Sequence, residues 1–165
     1  MESLFICNLI AGLLILIFGF VFCYFDTKNR RVPLLVFNSI FGILFVYFGI
    51  TYIWLMLTDS FVYGLIVATA FGLPFLLWYF AKGKFGAVDA RWMSIIMLLV
   101  PSLYYQFLFV LILIITTLVV VFVSKFVTKT YNTFDKNGEQ RYAPEMIAIM
   151  LSYVITLIVM GLLFY

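Results

Sequence analysis

The sequence predicts an all-α, polytopic membrane protein of about six transmembrane helices, and three observations predict it. Of 165 residues, 67% are hydrophobic and only 10% are charged, whereas a soluble domain covers its surface with roughly 25% charged residues. Mean hydropathy is +1.22. The apolar residues fall into runs of about 20, the length that spans a hydrocarbon core ~30 Å thick, and short polar stretches separate them. Such a surface faces lipid. The length fits one transmembrane domain, residues 1–165, with no room for a second outside the membrane. The net charge of +3 does not point to nucleic acid.

The first run, about residues 3–25, ends in Asp26-Thr27-Lys28-Asn29-Arg30-Arg31. It has neither a basic start nor a small-residue cleavage site, so it reads as a retained helix and not a signal peptide. The second run starts at Pro33, a residue suited to a helix start, and reaches Leu57. Thr58-Asp59-Ser60 makes a turn with cap residues. The third run covers about residues 61–80 and ends in Lys82-Gly83-Lys84. The stretch 87–123 is too long for one crossing, and Pro101-Ser102 with Tyr104-Tyr105-Gln106 divides it. This predicts a short fourth helix over about 87–100 and a fifth over 107–123, with the tyrosines in the aromatic belt of the membrane surface. A polar loop over about 125–141 precedes a sixth helix from about 143 to 165. There is no internal repeat.

Basic residues orient the bundle. Lys28, Arg30 and Arg31 follow helix one, and Lys82, Lys84 and Arg91 surround the start of helix four. Lys125, Lys129, Lys136 and Arg141 separate helices five and six. All ten therefore lie at odd-numbered connections, which predicts cytoplasmic odd-numbered loops and N- and C-termini outside. The expected location is the cell (plasma) membrane.

Absences narrow the chemistry. The chain has no histidine, which removes the usual general base, the usual zinc ligand and any Ser–His or Cys–His pair. Cys7 and Cys23 lie on the same run, about 24 Å apart at 1.5 Å per residue, too far for a disulfide. No metal or organic cofactor is expected.

Two of the seven acidic residues stand out. Asp26 closes helix one and Asp89 opens helix four, so both carboxylates are expected at the cytoplasmic edge. Paired carboxylates can share one proton, because two like charges close together do not both ionise cheaply. One then serves as base on a water while the other donates a proton, which is aspartic-protease chemistry. From topology alone, Asp26 also fits a membrane-boundary marker, and Asp89 a helix cap after Gly86.

The local sequences add to this. Asp26-Thr-Lys-Asn-Arg-Arg-Val-Pro33 resembles the first active-site motif of the type IV prepilin and preflagellin (archaellin) peptidases: an aspartate at a helix end, a basic stretch, then a hydrophobic-Pro pair. Leu34 stands where that family often has Asn or Asp. Gly83-Lys-Phe-Gly86-Ala-Val-Asp89-Ala-Arg91 resembles the second motif, Gly-x-Gly-Asp followed by a basic residue. Val88 replaces the second glycine, as in the archaeal Gly-x-hydrophobic-Asp version. The cysteine-rich methyltransferase region of the bacterial bifunctional enzymes has no counterpart here, so the resemblance is to the small peptidase-only form.

The resemblance implies Asp26 and Asp89 as the catalytic pair, with prepilin-like or preflagellin precursors as partners besides membrane lipid. The active site would face the cytoplasm. Gly86 would let the chain bend sharply and let substrate approach. Arg91 would orient a carboxylate, or serve only as a positive-inside anchor. Glu145, with Asp135 and Glu139, would read the positive charge of a basic leader, or be an ordinary solvated first-turn residue. Oligomeric state is open.

Three other classes stay on the page. A small transporter or channel subunit would carry charge or broken helices near the midplane, where this chain has only sparse Asn8, Asn38 and Gln106. A non-catalytic scaffold is compatible with Val88. A presenilin-like protease shares Gly-x-Gly-Asp, but its first motif is Tyr-Asp, and here Phe25 precedes Asp26.

Overall fold

The computed structural model describes residues 2–29, 32–80, 85–131 and 145–164. Six helices follow one another: α1 (Glu2–Asn29), α2 (Leu34–Thr58), α3 (Val62–Phe80), α4 (Ala87–Leu98), α5 (Leu103–Tyr131) and α6 (Glu145–Phe164). All but α4 are long and apolar enough to cross a membrane. Their outer faces carry large exposed side chains, such as Leu35 at 81% and Leu57 at 82%, which only lipid can cover without cost. The chain is a membrane protein.

The exception organises the rest. α4 has twelve residues, a rod about 18 Å long and shorter than a hydrocarbon core of about 30 Å. Apart from Arg91, every residue from Asp89 to Leu98 is buried. α4 packs against α2, α3 and α6; α5 packs on α3 and α6, and α1 on α6. The least apolar helix is therefore the core of the bundle, where its Asp, Ser and Trp are kept from lipid.

Several boundaries differ from the sequence reading. α1 does not stop at Phe25 but runs on to Asn29, so Asp26 sits inside its last turn. The Thr27 hydroxyl donates to Cys23 O at 2.7 Å, and the Lys28 ammonium to the Tyr24 hydroxyl at 3.2 Å. A basic residue there also suits the negative end of the helix. α5 begins at Leu103, so Tyr104-Tyr105-Gln106 form its first turns and not a surface loop, and it continues through Lys125. α3 carries Pro74 internally. Lys82, Gly83, Lys84, Asp135, Lys136, Glu139 and Arg141 lie outside the described residues.

Lipid offers no hydrophobic drive for helices to associate, so packing and interhelical hydrogen bonds hold the bundle. The three sparse amides serve this purpose. Asn8 on α1 accepts from the Tyr47 hydroxyl of α2 at 2.7 Å, and Asn38 on α2 accepts from Arg91 Nη1 of α4 at 3.4 Å. Gln106 on α5 is fully buried and reaches carbonyls on α3 and α4. Thr116 and Ser152 join α5 to α6 at 2.6 Å. Each such bond contributes about 0.6 kcal/mol in a membrane, so their value lies in fixing which faces meet.

Candidate active site

Asp26 reaches the site from the last turn of α1, and Asp89 from the first turn of α4. Gly86 precedes α4 in extended backbone, φ −76° and ψ 151°. Asp89 folds back to accept the Gly86 N–H on Oδ2 at 3.1 Å, satisfying one of the donors that a helix start leaves unpaired. The helix-cap role is thus present, and it uses one of the two carboxylate oxygens.

The sequence reading gave Gly86 the role of a sharp bend. Its dihedrals are open to any residue, so that reason is corrected. The requirement is space: a Cβ there would lie 2.5 Å from Asp89 Oδ2. Any side chain at position 86 displaces the carboxylate or breaks the cap.

A cavity of about 380 Å³ opens at this end of the bundle, lined by Asp26, Val32, Leu34, Gly86, Ala87, Val88, Asp89 and Glu145. One water needs only about 15 Å³, so there is room for water together with a peptide segment. Four elements supply the lining: the end of α1, the start of α2, the start of α4 and the start of α6. The first, third and fifth connections therefore share one end of the bundle.

An aromatic node joins three helices near the two aspartates. Phe22 on α1 meets the Trp92 ring of α4 edge-on at 5.1 Å, Phe37 of α2 lies 5.4 Å from Phe22, and Trp92 and Phe37 are 5.9 Å apart. Phe22 precedes Asp26 by one helical turn and Trp92 follows Asp89 by one turn. The rings therefore set how far apart the two carboxylate-bearing backbones stand.

Asp89 is only 8% exposed and sits in the first turn of α4, at the end of the bundle where the cavity opens. Burial, then the negative charges of Glu145 and Asp26, push its carboxyl up to about 8, against the opposing effect of the backbone N–H bonds. Its proton is therefore retained near neutrality. Asp26 is half-buried beside it. Two carboxyl groups in unlike surroundings, one holding a proton, are the arrangement that acid–base chemistry uses.

Of the residues singled out from sequence, Asp26, Gly86, Asp89 and Glu145 are brought together. Arg91 is not. It lies two residues beyond Asp89, about 200° around the helix, and turns to Asn38 on α2. Sequence reasoning missed Val32, Leu34 and Val88 as cavity wall, and the aromatic node one helical turn from each aspartate. Among the described residues, no group of three or more His, Cys, Asp or Glu side chains is arranged to hold a metal ion. Comparison with protein-family models, curated proteins and solved structures finds no match to this chain.

Proposed function

We propose that this chain is a membrane aspartic endopeptidase, similar to the type IV prepilin and preflagellin peptidases, that removes short leaders from such precursors. The observation that carries this reading is the shared cavity. Asp26 and Asp89 stand in the two motif-like stretches of the sequence, far apart along the chain, and both line the same cavity of about 380 Å³. Asp89 keeps its proton and donates it to the scissile carbonyl or the leaving amine. Asp26 is the base that takes a proton from the attacking water. On collapse of the tetrahedral intermediate, the C–N bond breaks and the amine leaves protonated.

The same reading fixes orientation. The chain crosses six times, with short α4 and the turn at Pro101 completing the fourth crossing inside the bundle. The odd-numbered connections and the helix ends beside them, which together hold all ten basic residues, face the cytoplasm, and the cavity opens there. A single cysteine at position 137, in a chain with Cys7 and Cys23 replaced, tests the orientation. Labelling by a membrane-impermeant thiol reagent from the outer face of intact cells overturns it.

Co-expression with a prepilin-like precursor tests the activity. The wild-type chain shortens the precursor on a gel and Asp89→Asn leaves it at full size. Equal shortening by both would refute the proposal.

A further inference from the structure

The end of α4 away from the cavity is held by a polar clamp, and we propose that this clamp, Gln106 with Tyr52, is a positioning device for Asp89. The activity arm of this inference rests on the peptidase reading, whereas its geometric arm does not.

A helix end leaves its last carbonyls without intrahelical partners, and there is no water within a bilayer to take them. In α4 three neighbouring helices take part. The Tyr52 hydroxyl of α2 donates to Leu98 O at 2.6 Å. The Gln106 amide of α5 donates to Met97 O at 3.1 Å, which also takes the Val100 N–H, and to Ile66 O of α3 at 3.2 Å, with Val100 O farther off at 3.5 Å. The hydroxyl of Thr69 on α3 donates to the Gln106 side-chain oxygen. α2, α3 and α5 thus converge on one turn of α4.

The rest of α4 packs through Ala90, Met93, Ile95 and Ile96, all fully buried. Apolar contact is non-directional and holds a rod loosely against sliding and turning. Hydrogen bonds depend steeply on angle and distance and hold it sharply. The cap at Gly86 moves with α4, so it cannot tie Asp89 to α1 or α6. The Arg91–Asn38 bond is long, at 3.4 Å, and exposed. The short hydrogen bonds described between α4 and its neighbours α2 and α5 lie at the far end. Asp89 lies eight residues from Met97 on the same rod, about 12 Å, and moves with it.

The test uses a chain with Cys7→Ser and Cys23→Ser, carrying Val32→Cys and Val88→Cys, two residues of the cavity wall. A short bifunctional thiol reagent in native membranes reads the distance between them. Gln106→Met keeps the volume and removes the amide. The crosslinking yield per inserted molecule is expected to fall several-fold. In the otherwise wild-type chain, Gln106→Met is expected to cut kcat on a prepilin-like precursor by about 10- to 100-fold with KM little changed, the signature of a misplaced acid. Phe107→Leu, a lipid-facing change on the next residue of α5, leaves both readouts alone. If Gln106→Met does not insert, Tyr52→Phe, which deletes one hydroxyl, decides by the same readouts. An unchanged yield in the inserted variant overturns the clamp, and a lowered yield with full cleavage overturns its link to Asp89. A lowered yield when the parent chain cleaves nothing upholds the geometric role and removes the peptidase reading instead.

Discussion

The two ends of α4 meet the same physical demand in opposite ways. At the far end, Leu98 O accepts from Tyr52, and Met97 O accepts from both the Val100 N–H and the Gln106 amide. At the near end, Asp89 is as buried as its neighbours, yet two further carboxylates face it across an open cavity. One end takes up carbonyls with neutral donors, and the other gathers three carboxyl groups, two of which raise the proton affinity of the third. A helix built for stability alone has no use for the second arrangement. On the proposed reading, the near end serves chemistry and the far end rigidity.

The contrast breaks most completely if the carboxylates are dispensable. Asp26→Asn and Asp89→Asn are each expected to abolish precursor cleavage while the protein still inserts. The double variant should be no worse than either single one, because the pair acts as a unit. Kinetics on purified membranes check this, and independent partial losses that multiply would contradict it.

Gly86→Val comes next. It forces a side chain onto Asp89 Oδ2, and about 1 Å of displacement costs roughly 100-fold in rate. Gly86→Ala meets the same Cβ contact with less bulk and should lose less. Equal activity of glycine, alanine and valine at this position would show that the cap geometry is irrelevant.

The pH profile sharpens the electrostatic side. The Asp89 carboxyl is raised to about 8, so activity that needs its proton falls as pH rises through that value. Burial is the largest cause and Glu145 the next. Glu145→Gln should therefore move the alkaline limb to lower pH. The stability sign follows. A carboxyl whose folded value lies above the ordinary one of about 4 favours the native state at low pH, and that contribution is lost as pH climbs to and through 8. Asp89→Asn flattens this dependence in a thermal-melt series. The smallest effect belongs to Val88→Gly, which removes cavity wall without touching a carboxylate and should retain activity within a few-fold.

The near end was largely legible in sequence, and the far end was not. Asp26, Asp89 and Glu145 were readable because charge is costly next to lipid, so acids at the edges of apolar runs mark themselves. The basic residues, confined to alternate connections, supplied the topology that brings such edges together. Gln106 looked like one sparse amide beside two tyrosines, and that trio read as a surface turn. Only tertiary contacts with Met97, Val100 and Ile66 make it the first turn of α5.

The enclosure of α4 was hidden for a related reason, since a run of apolar residues looks the same facing lipid or facing protein. The available signal was its shortness together with its Asp, Arg, Ser and Trp. The Phe22–Phe37–Trp92 node was not legible among 20 phenylalanines. Of the two roles read for Arg91, carboxylate orientation or positive-inside anchor, spacing of two along a helix points the side chain away from Asp89, toward Asn38.

The central claim is that carboxylates from α1 and α4 meet in one cavity. The direct measurement is crosslinking of Asp26→Cys/Asp89→Cys in native membranes, with Cys7 and Cys23 replaced, using thiol reagents of graded length. A pair that acts on one shared water lies within about 10 Å, so the shortest reagents should join the two positions, and a bound precursor should not abolish the product. No product with any reagent below that length, with or without precursor, would contradict the account.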